Sequence, residues 1–312
     1  MKTVYLFDGA RWRTVHIGDG IGGRGRFVRL NTVRLGRHGM EKPASAFVPG
    51  HVTGFFSAHP NDDPTKAGSR GAGVTVADGV TVRLEAGGGV ELNGEPTTIE
   101  AIDRVLDALR STARVVVETD LPLGAGFGVS GAAALGTALV TNAVFGHELS
   151  ENELVTIAHG AEVQAGTGLG DVVAQARGGV PVRLEPGAPA HGAMDGVPAC
   201  GTIEYVSFGE LRTEEIISGE TTELTAAGRR GLAGLVEEPT VETFMEASRR
   251  FGREADLLTP RVREVIEDVS TAGGEAAMAM LGETVFSIGT GLSDAGYDAE
   301  RTEISLAGAH LQ

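Results

Sequence analysis

Apolar side chains at Ile99, Ile102, Val105, Leu106 and Leu109 recur every three to four positions, which predicts a helix with one buried face, ending near Ser111. Residues 114 to 119 then read Arg-Val-Val-Val-Glu-Thr, a β-branched run suited to a buried strand. From 129 to about 145 the chain is small and apolar on all sides, so that helix is expected to be enclosed by protein. The next helix, 151 to 164, opens on Ser150 with Glu153 three positions on, the two members of a capping box. A short helix over 171 to 176 stops at Gly178-Gly179 and precedes a strand over 180 to 184.

Upstream, 44 to 48 reads as a short apolar strand closed by a Pro49-Gly50 turn. The glycine-rich segment Gly68-Ser69-Arg70-Gly71-Ala72-Gly73 leads into alternating strands at 74 to 76 and 80 to 84, and Asn93-Gly94 is a hairpin turn signal. Residues 185 to 198, rich in Gly, Pro and Ala, are expected to link two lobes. Beyond them come a strand at 202 to 208, helices near 221 to 236, 240 to 252 and 260 to 272, and a hairpin-like pair around Gly282-Glu283. A short helix near 291 and a strand at 302 to 306 close the chain. Both halves mix strands and helices, an α+β plan.

Charge changes this picture at one place. The chain has 312 residues and a net charge of −16, yet its first 39 residues carry eight basic and two acidic side chains. Such a break marks a boundary. We therefore expect 1 to 39 to be a non-native or disordered extension poorly packed on the rest, with Met40 as the physiological start. A first lobe over 40 to 190 and a second over 191 to 312 would follow. The acidic remainder argues against nucleic acid or an anionic membrane as partner and favours a small molecule. The single cysteine, Cys200, excludes an intrachain disulfide and a multi-cysteine zinc site, and no long apolar run suggests a membrane span. A cytoplasmic protein is expected.

The candidate chemistry lies in the loop Pro122-Leu123-Gly124-Ala125-Gly126-Phe127-Gly128-Val129-Ser130-Gly131-Ala132. Its four glycines sit between a strand and an enclosed helix, so successive N–H groups can converge on an anion at the helix N-terminus. A Walker A loop is excluded, since no lysine follows Lys66. Gly126-x-Gly128-x-x-Gly131 matches the dinucleotide spacing, but the acidic partner expected about 20 residues on, at the end of a second strand, is missing. Glycines that merely let a helix approach a sheet remain an alternative, which leaves Pro122 and Ser130 without a role.

This loop resembles the ATP-binding motif of the GHMP kinases, Pro-x-x-x-Gly-Leu-Gly-Ser-Ser-Ala, with Phe127 in place of the leucine, Val129 of the first serine and Gly131 of the alanine. Two further motifs of that family occur in order, Pro49-Gly50-His51-Val52-Thr53-Gly54-Phe55-Phe56 and Gly282-Glu283-Thr284-Val285-Phe286. The opening motif, the 68 to 73 segment and Gly126-Phe127-Gly128-Val129-Ser130-Gly131-Ala132 most resemble the archaeal pantoate kinase branch. The resemblance implies a ribosomal-protein-S5-domain-2-like N-terminal lobe, a ferredoxin-like C-terminal lobe, and ATP-dependent phosphorylation of (R)-pantoate to (R)-4-phosphopantoate for coenzyme A synthesis. Another GHMP kinase acting on shikimate, homoserine or mevalonate is the alternative.

The same resemblance implies ATP and Mg2+ as cofactors, Ser130 and Glu162 as metal ligands, and Asp171 as the catalytic carboxylate. Residues 122 to 132 would bind the nucleotide. Glu162 also reads as a solvated helix carboxylate and Asp171 as a helix N-cap. For the substrate carboxylate a forked guanidinium is the natural partner, and Arg70 is the candidate, with His51 as a polar neighbour. A homodimer is the candidate assembly.

Overall fold

The computed structural model describes residues 2–7, 12–17, 45–210, 222–280 and 282–312. Strands β1 (Lys2–Phe7) and β2 (Trp12–Ile17) pair antiparallel with each other as a separate sheet. The rest of the segment expected to stand apart, and Met40 with it, lies outside the described residues.

The large sheet is built on two long strands, β3 (Ser45–His59) and β4 (Gly68–Glu85), paired antiparallel. Pro49-Gly50 is therefore not a turn. The pair sits inside β3 at a register shift, where a Cβ on Gly50 would lie 2.6 Å from Leu121 Cδ1 and 2.8 Å from Val76 Cγ2. The 68 to 73 glycines likewise belong to a strand. β5 (Gly89–Leu92) and β6 (Glu95–Thr97) form the hairpin expected at Asn93-Gly94, whose φ angles of 50° and 87° suit a type I′ turn. Helix α1 (Glu100–Ala108) and strand β7 (Arg114–Glu118) follow as the periodicity indicates.

Helix α2 (Val129–Phe145) lies on this sheet. It carries no charge, and Gly136 lets it come close enough that a Cβ there would meet Val82 Cγ2 at 2.6 Å. α3 (Glu151–Ala165) begins with both hydrogen bonds of the Ser150–Glu153 capping box. α4 (Asp171–Arg177) leads into β8 (Val180–Glu185), which pairs with β4. The expected linker at 185 to 198 is instead a hairpin arm, because β9 (Ala193–Val197) folds back on β8.

The second sheet is antiparallel. Its strands are β10 (Thr202–Glu210), β11 (Ala277–Ala279), β12 (Gly282–Ile288) and β13 (Glu300–Glu303), ordered β11-β12-β10-β13. Helices α5 (Thr222–Glu237), α6 (Val241–Glu254) and α7 (Pro260–Thr271) separate β10 from β11, and α8 (Gly291–Asp294) separates β12 from β13. A βαββαβ succession with this strand order is the ferredoxin-like arrangement. α5 and α6 also pack on β3, so one core runs through both sheets. The last strand, β14 (His310–Leu311), returns to β3; it and β9 place residues beyond 190 in the large sheet, so the boundary at 190/191 does not follow the sheets. No described helix is long and apolar enough to cross a membrane.

Candidate active site

The glycine loop leaves β7 and is held from three sides before it becomes α2. His51 N–H of β3 donates to Phe127 O at 2.9 Å, and Gln175 Nε2 of α4 donates to Gly128 O at 2.9 Å. From the second sheet, β12 presses so close that a Cβ on Gly282 would lie 2.0 Å from Ala125 O. Phe127 is buried, its ring edge-on to Tyr205 at 4.7 Å. Gly128 precedes the helix at φ 63°, a left-handed position that disfavours other residues, and offers no side-chain cap. The first N–H groups of α2 are thus left for a ligand.

They open onto a cleft of about 720 Å³ lined by loop residues 123, 124, 126 to 131 and by Glu162, Asp171 and Arg183. Pro122, Ala125 and Ala132 do not line it. Glu162 is no solvated carboxylate: it is 2% exposed, and Ser130 Oγ donates to its Oε1 at 2.6 Å. Burial pushes its carboxyl up to about 7, opposed by the hydroxyls of Ser130 and Thr167 and reinforced by the charge of Asp171. A Cβ at Gly168 would fall 2.7 Å from Glu162 Oε2 and 3.3 Å from Asp171 Oδ2, so the bare glycine lets both carboxylates face one space. One hydroxyl and one or two carboxylates suit Mg2+, which takes its remaining oxygens from phosphates and water. Among the described residues no group of three or more His, Cys, Asp or Glu makes a cage for a metal by itself.

Asp171 is the first residue of α4, and Gly170 occupies the N-cap position. Its Oδ1 accepts from His51 Nδ1 at 2.7 Å. Burial opposes its charge, but the His51 hydrogen bond and the nearby charge of Arg183 together hold the carboxyl below the ordinary range, so it is ionised and able to take a proton.

The structure brings Ser130, Glu162 and Asp171 into one cleft and leaves out two of the expected residues. Arg70 pairs with Glu185 and does not line the cleft, whereas its neighbour Ser69 does. His51 is fully buried behind Asp171. In their place stands Arg183 of β8, 2% exposed, with neither Nε nor Nη1 hydrogen-bonded among the described residues. Burial lowers its pKa, and the Asp171 carboxylate offsets part of this. Gly170 makes room for it, since a Cβ there would lie 2.7 Å from Arg183 Nε and 2.6 Å from Ser69 Oγ. A lone arginine in the apolar run Val180-Pro181-Val182-Arg183-Leu184 was the available signal, as was Gln175 one turn after Asp171.

The raised Glu162 carboxyl has a measurable consequence in the ligand-free protein. Between its ordinary value of 4.5 and about 7 the folded state binds a proton that the unfolded state has released. The stabilisation is complete below that window and is lost as pH rises through it, by about 3 kcal/mol for a buried group. Urea unfolding at pH 5 and pH 8 checks this: the loss shrinks in Glu162→Gln, and an equal loss in both proteins contradicts it.

An anion-ready helix end facing two carboxylates is the apparatus of a phosphotransferase, and comparison with known proteins gives it a family. A profile of the GHMP kinases N terminal domain matches residues 97–179, the segment holding the loop, Ser130, Glu162 and Asp171. The pantoate kinase of Methanocaldococcus jannaschii is 35% identical over 250 residues, covering 78% of this chain and 91% of that one. That of Thermococcus kodakarensis is 33% identical, covering 78% and 86%. A solved structure described as a phosphotransferase related to the CoA biosynthesis pathway superposes with a TM-score of 0.77 at 30% identity, covering 87% of this chain and 99% of that one. The chain is a GHMP kinase and, within that class, belongs to the pantoate kinase family.

Proposed function

We propose that the cleft transfers the terminal phosphoryl group of ATP to the 4-hydroxyl of (R)-pantoate, yielding (R)-4-phosphopantoate for coenzyme A synthesis. The observation that carries this reading is Arg183, a buried guanidinium whose Nε and Nη1 have no hydrogen-bond partner among the described residues, beside an ionised Asp171. A buried cation of this kind is costly until an anion meets it. An acceptor bearing both a carboxylate and a hydroxyl satisfies Arg183 with the one and presents the other to Asp171. Phe56 and Met280, nearly fully buried yet lining the cleft, supply apolar surface for the two methyl groups of pantoate.

In the transfer, the hydroxyl oxygen forms its bond to the γ-phosphorus as the bridge to the β-phosphate breaks, and Asp171 Oδ2 takes the hydroxyl proton while ADP leaves. The N–H groups of residues 129 to 131 hold the negative tail in place. Ser130 and Glu162 would hold Mg2+, which when bound neutralises phosphate charge. Leu92, Ile99 and Leu123 line the cleft and offer an apolar flank to the base. ADP release measured in parallel with pantoate, shikimate, homoserine and mevalonate tests the assignment. Pantoate is expected to exceed each of the others in kcat/KM by at least about 100-fold; a higher value for any other acceptor rejects it.

A further inference from the structure

We propose that His51 is a positioning residue acting through Asp171: a neutral imidazole in the Nδ1–H tautomer that locks Oδ1 and leaves Oδ2 to face the acceptor. The inference rests on Asp171 being the base. An ionised carboxylate only accepts hydrogen bonds, so across the 2.7 Å contact the hydrogen belongs to Nδ1. The other ring nitrogen, Nε2, is buried and has no partner among the described residues. A charged ring would strand a second N–H donor there, whereas a neutral ring leaves only a bare acceptor.

The charged groups acting on the ring are Asp171 of α4 and Arg183 of β8. Burial and Arg183 favour the neutral form, against the pull of Asp171. Thr53 Oγ1, 3.5 Å from Nδ1, is a distant second contact. The slot for the ring is made by β4, where a Cβ on Gly73 would come within 2.2 Å of Nε2. His51 also holds the nucleotide loop, since its main-chain N–H donates to Phe127 O. His51 therefore fixes the base with its side chain and the loop with its backbone, without itself lining the cleft.

Long-range 1H–15N correlation spectra of the full chain, with the His51 signals assigned by loss in His51→Asn, read the tautomer directly. We expect a neutral Nδ1–H ring at pH 7; an Nε2–H ring or an imidazolium overturns the proposal. In kinetics, His51→Leu is expected to lower kcat about 100-fold with KM for pantoate and ATP changed less than about threefold. His51→Asn, whose amide nitrogen can stand where Nδ1 stood, recovers about tenfold of the loss. A rise in pantoate KM at unchanged kcat overturns the proposal, because it makes His51 a substrate ligand. If His51→Leu does not fold, the wild-type spectrum decides alone. Full turnover in Asp171→Asn removes the base on which the proposal rests; full turnover in His51→Leu beside an inactive Asp171→Asn removes only the positioning role.

Discussion

Replacing Asp171 with Asn lowers kcat about 1,000-fold, within the range of a positioned base. ATP affinity stays within about twofold, because the role proposed for the residue is on the acceptor and not on the nucleotide. The substitution keeps shape and volume, so packing of α4 is preserved. What changes is the acceptor capacity of the group. To keep the His51 Nδ1 contact the amide must turn its oxygen toward the ring, which presents NH2 to the acceptor hydroxyl. That group cannot take a proton. The measurement is kcat for pantoate together with equilibrium binding of an ATP analogue, and a variant that loses both in proportion contradicts the division of labour proposed for the cleft.

The second large effect is expected at Arg183. Arg183→Met removes a fork-shaped cation and leaves a shorter apolar side chain that replaces only the stem. KM for pantoate should rise about 100-fold or more, as for loss of a charge-assisted bidentate contact, while binding of the ATP analogue is little changed. Stability gives an independent check. In the ligand-free protein Arg183 is buried with two nitrogens unpartnered among the described residues, so an apolar replacement should leave the melting temperature equal or higher. A variant that melts well below the wild type while pantoate KM is unaltered would make Arg183 a structural residue.

Features set by neighbours in the chain were legible from the sequence. The capping box at Ser150 and Glu153, the Asn93-Gly94 turn and the uncharged α2 each depend on residues a few positions apart, and each is found in the structure. Pairing was not legible. Pro49-Gly50 carries a turn signature, yet fourteen residue pairs align β3 with β4 and carry the chain straight through it. The same ignorance of pairing hid Arg183. Alternation along β4 sends Ser69 to the cleft and Arg70 away from it, and the register shift between Arg183 and Glu185 places Arg183 in the cleft while Glu185 meets Arg70. Which of two strand arginines enters a site is decided by parity, and parity is fixed only once the strands pair. Ser130, Glu162 and Asp171 were named through resemblance, and no local periodicity in the sequence would have gathered them. Glu162 of α3 and Asp171 of α4 meet across the bare backbone of Gly168, and Ser130 of α2 joins them through its hydrogen bond to Glu162.

The most direct test is a crystal structure of the protein with a non-hydrolysable ATP analogue, Mg2+ and pantoate. The phosphate tail should lie against the N–H groups of residues 129 to 131, with the pantoate carboxylate on Arg183 and its 4-hydroxyl within hydrogen-bond reach of Asp171 Oδ2. Phosphates bound away from the start of α2, or pantoate turned so that its carboxylate meets another residue, would contradict the account.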